Sequence, residues 1–446
     1  MINVLVFASC YIGGSVLAFV SNPVYAFMVY QLIYFMNPMN RWWGTQIPAL
    51  GYSFFTVVIM GVVFIKNFNE HNKNSLFAAP QFKWIFLIAI AYLCTLGYAV
   101  NPELNKEATT NFVKLVIIMC LAYKIVDSDQ RFDYVLWAYM AGAAYIGYLA
   151  FQVGRDSTGR VESVGTVDAP DSNGIAAAIA PSVVICLYYF WVSTNNKARL
   201  FIVIAGAFIV NGVVLINSRG AFLATMVGVG YFVFYLLFSK YQRKHQRASA
   251  IGLILLGLIA LSQVVDRTAI ERFLSISEEQ ATTEQETGKT RLFFWEAAWE
   301  MAKDHPFGAG ARGFEYYAPE YLPDYVATGN SRNRSVHSTW FESLTDTGYF
   351  GLFCLIMMIM SSFKATRRCK KTLDKTIDVN IYFKIIAVEA ALITFLVAMS
   401  FLNRFRSEIL YWCVLFTACA YNIYVLKVDK KAPGQMSPEP NQLTAV

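Results

Sequence analysis

The sequence predicts an all-α polytopic membrane protein of about 12 transmembrane helices, with one large loop that carries helices of its own. Hydrophobic residues make up 56% of the 446 and charged residues 15%, against roughly a quarter charged in an ordinary soluble domain. Mean hydropathy is +0.43. Apolar runs near the roughly 20 residues that a spanning helix needs recur along nearly the whole chain.

In chain order, the first 37 residues hold two runs, 4–20 and 24–36, split by Ser21, Asn22 and Pro23. They are two helices or one broken helix, so the count is 12 or 13 spans. Runs at 47–65, 84–100, 175–193, 200–217, 221–238, 251–265, 348–363, 381–402 and 409–426 are clear, and 112–126 and 134–152 are more polar. No basic n-region or Ala-x-Ala-like site precedes the second run, so the first helix is expected to stay. The division is then 1–265 for amino-terminal helices, 266–347 for a large loop, 348–427 for carboxy-terminal helices and 428–446 for a tail whose Pro, Gln and small polar residues read as disordered.

The net charge of +7 has meaning once located, because Lys and Arg in short loops stay cytoplasmic. Lys240, Arg243, Lys244 and Arg247 follow one span; Lys364, Arg367, Arg368, Lys370, Lys371 and Lys375 follow another. Both loops are expected in the cytoplasm, with the tail. Counting crossings from them puts 153–174, the turn 218–220, the stretch 266–336 and the short loop 403–408 together on the opposite face. Within 266–336, an acidic piece (Glu278, Glu279, Glu284, Glu286) precedes an amphipathic segment, 292–302, whose Phe293, Trp295, Trp299 and Ala302 predict a helix against the bundle or the interface. The eight cysteines show no metal-ligand spacing and read as apolar fillers.

Chemistry is sought on that opposite face. Arg219, in Asn217-Ser218-Arg219-Gly220, is a charge held against hydrocarbon, which calls for a partner or a task; the bland alternative is an Arg snorkelling to headgroups. Gly220 beside it would let backbone and guanidinium approach an anion together. Arg291 precedes the amphipathic helix, and Pro306-Phe307-Gly308-Ala309-Gly310 ends it, with glycines permitting turns that could face a ligand. His337 lies just before Thr339 and Glu342, which have capping-box spacing, so the imidazole sits at a helix start suited to a general base. A lone structural histidine is the competing reading. The loop 153–174 supplies Arg155, Arg160, Asp168, Asp171 and Asn173 for phosphate or sugar, or its two Asp for a divalent ion, though two acids three apart signal an ion only weakly and a solvated flexible loop accounts for them better. No His-Glu-x-x-His, Cys-x-x-Cys, Walker loop or Gly-x-Ser-x-Gly elbow occurs.

This succession resembles the O-antigen ligase and Wzy-polymerase superfamily of bacterial inner-membrane proteins. The residues that carry the resemblance are Ser218-Arg219-Gly220 between two spans, the long loop with Arg291, Trp295 and Gly308-x-Gly310, then His337-Ser338 followed by Gly348 and Gly351. Asn173 in Pro170-Asp171-Ser172-Asn173 is similar to the family's asparagine, and Tyr34-Phe35-Met36-Asn37-Pro38 with Trp42-Trp43 resembles the O-glycosylation ligase branch. Family members often have Asn where this chain has Ser338. The resemblance implies an undecaprenyl-diphosphate-linked glycan as donor, a hydroxyl of lipid A-core as acceptor, membrane lipid as surroundings, an inner-membrane location with the site facing the periplasm, and no nucleic acid. His337, Arg219 and Arg291 are then the catalytic set, with Arg155, Arg160, Asn173, Lys289, Arg312 and Ser338 binding substrate. Guanidinium forks neutralise the departing diphosphate by bidentate hydrogen bonds, so no metal or other cofactor is expected, and direct attack would invert the anomeric centre. A polymerase, whose acceptor is another lipid-linked glycan, and a protein O-glycosylating ligase fit the same motifs. From another class, a secondary transporter would show repeated halves and midplane charges, and neither is visible.

Overall fold

The computed structural model of the protein describes residues 2–157, 159–243, 245–264, 290–326, 328, 331–373 and 378–429. Its helices are α1 (Ile2–Val20), α2 (Val24–Met36), α3 (Tyr52–Lys66), α4 (Phe68–His71), α5 (Pro80–Thr95), α6 (Pro102–Ile125), α7 (Asp129–Val153) and α8 (Ser172–Val192). They continue with α9 (Asn196–Ile216), α10 (Arg219–Phe238), α11 (Gln246–Val264), α12 (Thr290–Asp304), α13 (Gly313–Tyr321), α14 (Thr339–Leu373), α15 (Val379–Met399) and α16 (Glu408–Tyr421). Lys244, Lys289, Lys375, the acidic piece around Glu278–Glu286 and the tail from 430 onward lie outside the described residues.

Each apolar run of the sequence is a helix, and the protein is an all-α, multi-pass membrane protein. Among the described residues, nine helices are long and apolar enough to cross a membrane, and Tyr52–Lys66 with Phe68–Ala78, bent by 88°, makes up to ten. Beside the 12 or 13 runs of the sequence, several of the apolar helices are shorter than this. α2 stops after 13 residues at Asn37, which takes a left-handed φ of 42° before Pro38, and α5 has 16 residues.

The first two runs are two helices, not one. They fold back on each other about Ser21-Asn22-Pro23, so that Gly14 of α1 meets Val29 of α2; a Cβ at Gly14 would come within 2.4 Å of Val29 Cγ2. Phe7 near the start of α1 packs on Trp43 and Tyr52. Side chains such as Ile2, Leu5, Ile12 and Val16 stay exposed, as expected of a surface that faces lipid tails.

The helix ends sort onto two faces. On one, Lys66 donates to Phe19 O at 3.1 Å, Lys124 bonds Asn72 Oδ1 at 2.6 Å, Lys427 pairs with Asp127 at 2.9 Å, and the buried Lys384 bridges Asp129 and Asp133, each at 2.7 Å. The basic segments at 240–247 and 364–371 end on this side. On the other, the end of α2, the loops 96–101 and 153–171, the turn 217–218 and the loop 400–407 meet. Arg41 knots that face together: its guanidinium donates to Phe35 O and Met36 O, carbonyls of the last turn of α2, and to Ser163 O, Val164 O and Gly165 O of the 153–171 loop. Cationic donors at a helix C-terminus satisfy carbonyls that have no partner within the helix.

A small second layer covers part of this face. α12 buries Phe294, Ala297, Ala298, Met301 and Ala302, which pack with Phe314 and Ala318 of α13, Leu322 and Val336. The amphipathic helix is therefore where the sequence puts it, but its inward stripe is Phe294-Ala298-Met301, while Leu292 and Trp299 remain exposed. The helix ends before Pro306. The glycines that follow meet backbone and not an open cleft: Ala309 N donates to Thr345 O at 2.8 Å and Gly310 N to Asp346 O at 3.0 Å, and α14 is broken at Gly348, with φ of 69°. A Cβ there would lie 2.2 Å from Pro306 O. Gly348→Ala should cost on the order of 3 kcal/mol from the left-handed backbone and the clash together. A thermal melt of the purified variant should show a clear drop in Tm, and an unchanged Tm would contradict this packing.

Candidate active site

The loop 400–407, which follows α15, forms the floor of the site. Phe401 receives two of the residues singled out in the sequence. Arg291, in the first turn of α12, donates from Nη1 to Phe401 O at 3.4 Å, and Gly220, in the first turn of α10 beside Arg219, faces the Phe401 ring. A Cβ at Gly220 would stand 3.5 Å from Phe401, an ordinary contact, so close packing is not what requires glycine there. Asn217 ends α9 in the left-handed region, with φ of 57°, and its side chain donates to Gly159 O at 3.3 Å. This turns the chain so that α10 can start at Arg219.

His337 lies two residues ahead of Thr339, the first residue of α14, just before a helix start as expected, with φ of 52°. Its ring is 6.2 Å from that of Phe294, which is one turn along α12 from Arg291. Trp295 closes the same side, donating to Val336 O at 3.2 Å and stacking on Phe341 at 5.8 Å. The capping box is not formed. Thr339 Oγ1 donates to Leu402 O at 2.7 Å and accepts from Arg404 N at 2.9 Å, while Glu342 Oε2 accepts from Phe405 N at 2.9 Å. Ser338 N donates to Asn403 Oδ1 at 3.2 Å. The polar groups that the spacing assigned to one another are instead bound to loop 400–407, which fixes the backbone on which His337 stands.

The loop 153–171 is pinned at several points, while Val167, Pro170 and Asp171 stay exposed. Arg155 donates to Leu215 O at 3.1 Å and Val214 O at 3.0 Å, capping the C-terminus of α9. Arg160 N donates to Asp156 Oδ1 at 3.3 Å in a local turn. Asp168 accepts from Tyr34 Oη at 2.6 Å and from Glu408 N at 2.7 Å. Asp171 is the N-cap of α8, accepting from Gly174 N at 2.9 Å, and it pairs with Arg404 at 2.6 Å. Asn173 sits in that first turn. Both acids thus hold protein groups with both of their oxygens. Burial would raise the Asp171 pKa, but Arg404 and the Gly174 N–H outweigh it and hold the carboxyl below its ordinary value. A depressed carboxyl keeps its pairing above the ordinary carboxylate range and loses it only as pH falls through the lowered value; the tether is intact at neutral pH.

Arg312 also has φ above zero, 60°, and its half-exposed side chain pairs with Glu315 at 2.5 Å; its backbone N donates to Asp346 at 3.0 Å. Lys289 is outside the described residues.

Three groups not foreseen complete the floor. Arg404 and Arg406 point away from one loop to opposite sides, Arg404 to Asp171 and to Asp168 O at 2.8 Å, Arg406 to Glu342 at 3.6 Å and the buried Asp346 at 3.2 Å. Tyr92 donates to Asp346 at 3.0 Å and lies under the Arg406 guanidinium. Burial alone would lower the Arg406 pKa, and the charges of Tyr92, Asp346 and Glu342 raise it instead. The sequence signal was present in Asn403-Arg404-Phe405-Arg406, a polar run between two apolar helices.

The comparisons with known proteins come to the same region. Residues 204–356 match the family model described as O-Antigen ligase; this segment contains Arg219, Arg291, Arg312, His337 and Ser338 but neither Asn173 nor loop 400–407. An uncharacterized protein of Haemophilus influenzae is 21% identical over 328 residues, 70% of this chain and 79% of its own. The exopolysaccharide production protein ExoQ of Rhizobium meliloti is 20% identical over 356 residues, 77% of this chain and 76% of its own. The chain is a multi-pass membrane protein that is similar, over residues 204–356, to the O-Antigen ligase family, and both distant relatives are consistent with the O-antigen ligase and Wzy superfamily.

Proposed function

We propose that this protein is a glycosyltransferase that moves a polysaccharide from undecaprenyl diphosphate to a hydroxyl of lipid A-core, working as an O-antigen ligase at the periplasmic face of the bacterial inner membrane. The observation that carries the reading is the convergence on loop 400–407: Arg291 and the Arg219-Gly220 helix start meet at Phe401, and the two residues after His337 are bonded to Leu402, Asn403 and Arg404. The opposite face carries the clustered lysines and arginines, which supports its being cytoplasmic.

The chemistry follows from the residue types. A polyprenyl tail lies among the lipids and its diphosphate rests at the interface, level with the start of α10. The planar forks of Arg219 and Arg291 neutralise charge that grows on the diphosphate as the glycosidic C–O bond breaks. His337 takes the proton of the acceptor hydroxyl as its oxygen attacks the anomeric carbon. One displacement inverts that carbon, and the protein itself is not glycosylated on the way.

Purified protein in proteoliposomes, given undecaprenyl-diphosphate-linked glycan and lipid A-core, should yield the joined product equally with and without chelator, and the new linkage should have the inverted configuration. Loss of product with chelator would require a metal; a retained configuration would require a glycosylated intermediate. The similarity to ExoQ favours a second reading, in which a further lipid-linked glycan is the acceptor. Supplying donor alone separates the two, since only a polymerase then lengthens the glycan.

A further inference from the structure

We infer that Arg404 is a positioning residue, which locks the Asn173 turn to the His337 helix so that the two sides of the site keep one geometry; this rests on the function proposed above. Arg404 lies outside the segment matched by the family model, and the argument for it is geometric.

Its backbone N–H is accepted by Thr339 Oγ1 at 2.9 Å, two residues from His337. Its side chain, only 10% exposed, reaches the other way: Nη1 donates to Asp168 O at 2.8 Å and Nη2 to Asp171 Oδ2 at 2.6 Å. Asp171 caps the helix turn that holds Asn173. One residue therefore spans the gap between α14 and α8, with a hydrogen-bonded partner at each end. The guanidinium's space is reserved by the sequence as well. A Cβ on Gly174 would lie 1.5 Å from Arg404 Nη2 and 2.4 Å from its Cζ, although Gly174 is helical and Ala would otherwise be the better helix former. Glycine at this point serves the fork and not the helix. With its Asp171 end half exposed, an ion pair of this kind contributes little net stability; its use is to fix where two elements stand. Misplacement of reacting groups by about 1 Å can cost on the order of 100-fold in rate.

Two variants disturb the tether by different routes. Arg404→Gln removes the charge, and Gly174→Ala leaves Arg404 and Asp171 chemically intact but displaces the fork. Each full-length variant would be assayed in proteoliposomes with the lipid-linked glycan donor, and amide hydrogen exchange would be followed in 163–174 and 335–340. Both variants should lower kcat by about 10- to 100-fold, with donor KM changed less than about threefold. Both should speed exchange in the two segments together. Gly174→Ala added to Arg404→Lys, whose single ammonium cannot hold both acceptors, should cost little beyond Arg404→Lys alone. A raised donor KM at unchanged kcat would make Arg404 a donor contact and overturn the inference, as would Gly174→Ala with unaltered kcat and exchange. If Arg404→Gln does not fold, Gly174→Ala decides. If the wild-type protein transfers no glycan, the functional reading fails, whereas the exchange data still accept or reject the tether.

Discussion

His337→Ala should leave a folded protein that still binds the lipid-linked donor and transfers about 10²- to 10⁴-fold more slowly, the range usual for loss of a general acid or base. The reason to expect intact folding is that the structure around His337 is held by its neighbours. Val336 fills the small core with Phe294, Ser338 N is bonded to Asn403, and Thr339 to Leu402 and Arg404. Removal of the imidazole leaves all of these. Size-exclusion behaviour and donor binding should match wild type while turnover collapses. Normal complementation of a ligase-deficient strain by His337→Ala would end the assignment of the base.

Arg219→Ala and Arg291→Ala should lose both donor affinity and rate, each by about 10²- to 10³-fold in kcat/KM. A diphosphate is anionic when bound and more so as it departs, so a guanidinium acts on both states. Lys at either position should recover little, because an ammonium has the charge but not the two parallel donors. The paired measurement of KM and kcat separates this from a headgroup-snorkelling role, for which Lys would serve as well as Arg. Arg291→Lys with near-normal kcat/KM would remove it from the site. By contrast, Arg155→Ala should act on stability: it frees two carbonyls at the end of α9, and its effect on kcat should follow the fraction folded.

The bundle was legible in the sequence because hydrocarbon imposes one rule on every spanning segment, and composition records it run by run. The sorting of loops by charge was legible for a similar reason, since 153–174, 218–220 and 403–408 do meet on one face. So were α12 with its end before Pro306, and a helix start just after His337. The rest depended on partners far away in sequence. Thr339 and Glu342 have the spacing of a local cap, but groups 63 residues on, in loop 400–407, take up both side chains. Arg155 and Arg312 stand out in sequence only as cations; their contacts with the end of α9 and with Glu315 appear in space. Arg404 and Arg406 were overlooked because their partners lie up to 236 residues away in one case and in the interior of another helix in the other. Periodicity describes an element's own faces and is silent about which distant loop it will touch.

The position of loop 400–407 has a consequence for how the protein comes to life on the ribosome. Arg219, Arg291 and His337 are all synthesised and threaded into place before the residues that support them exist. A nascent chain halted after α14 would own every candidate catalytic group and still have no floor beneath them. Competence should therefore arrive as a single late event, when α15 and α16 insert as a hairpin and carry the loop across.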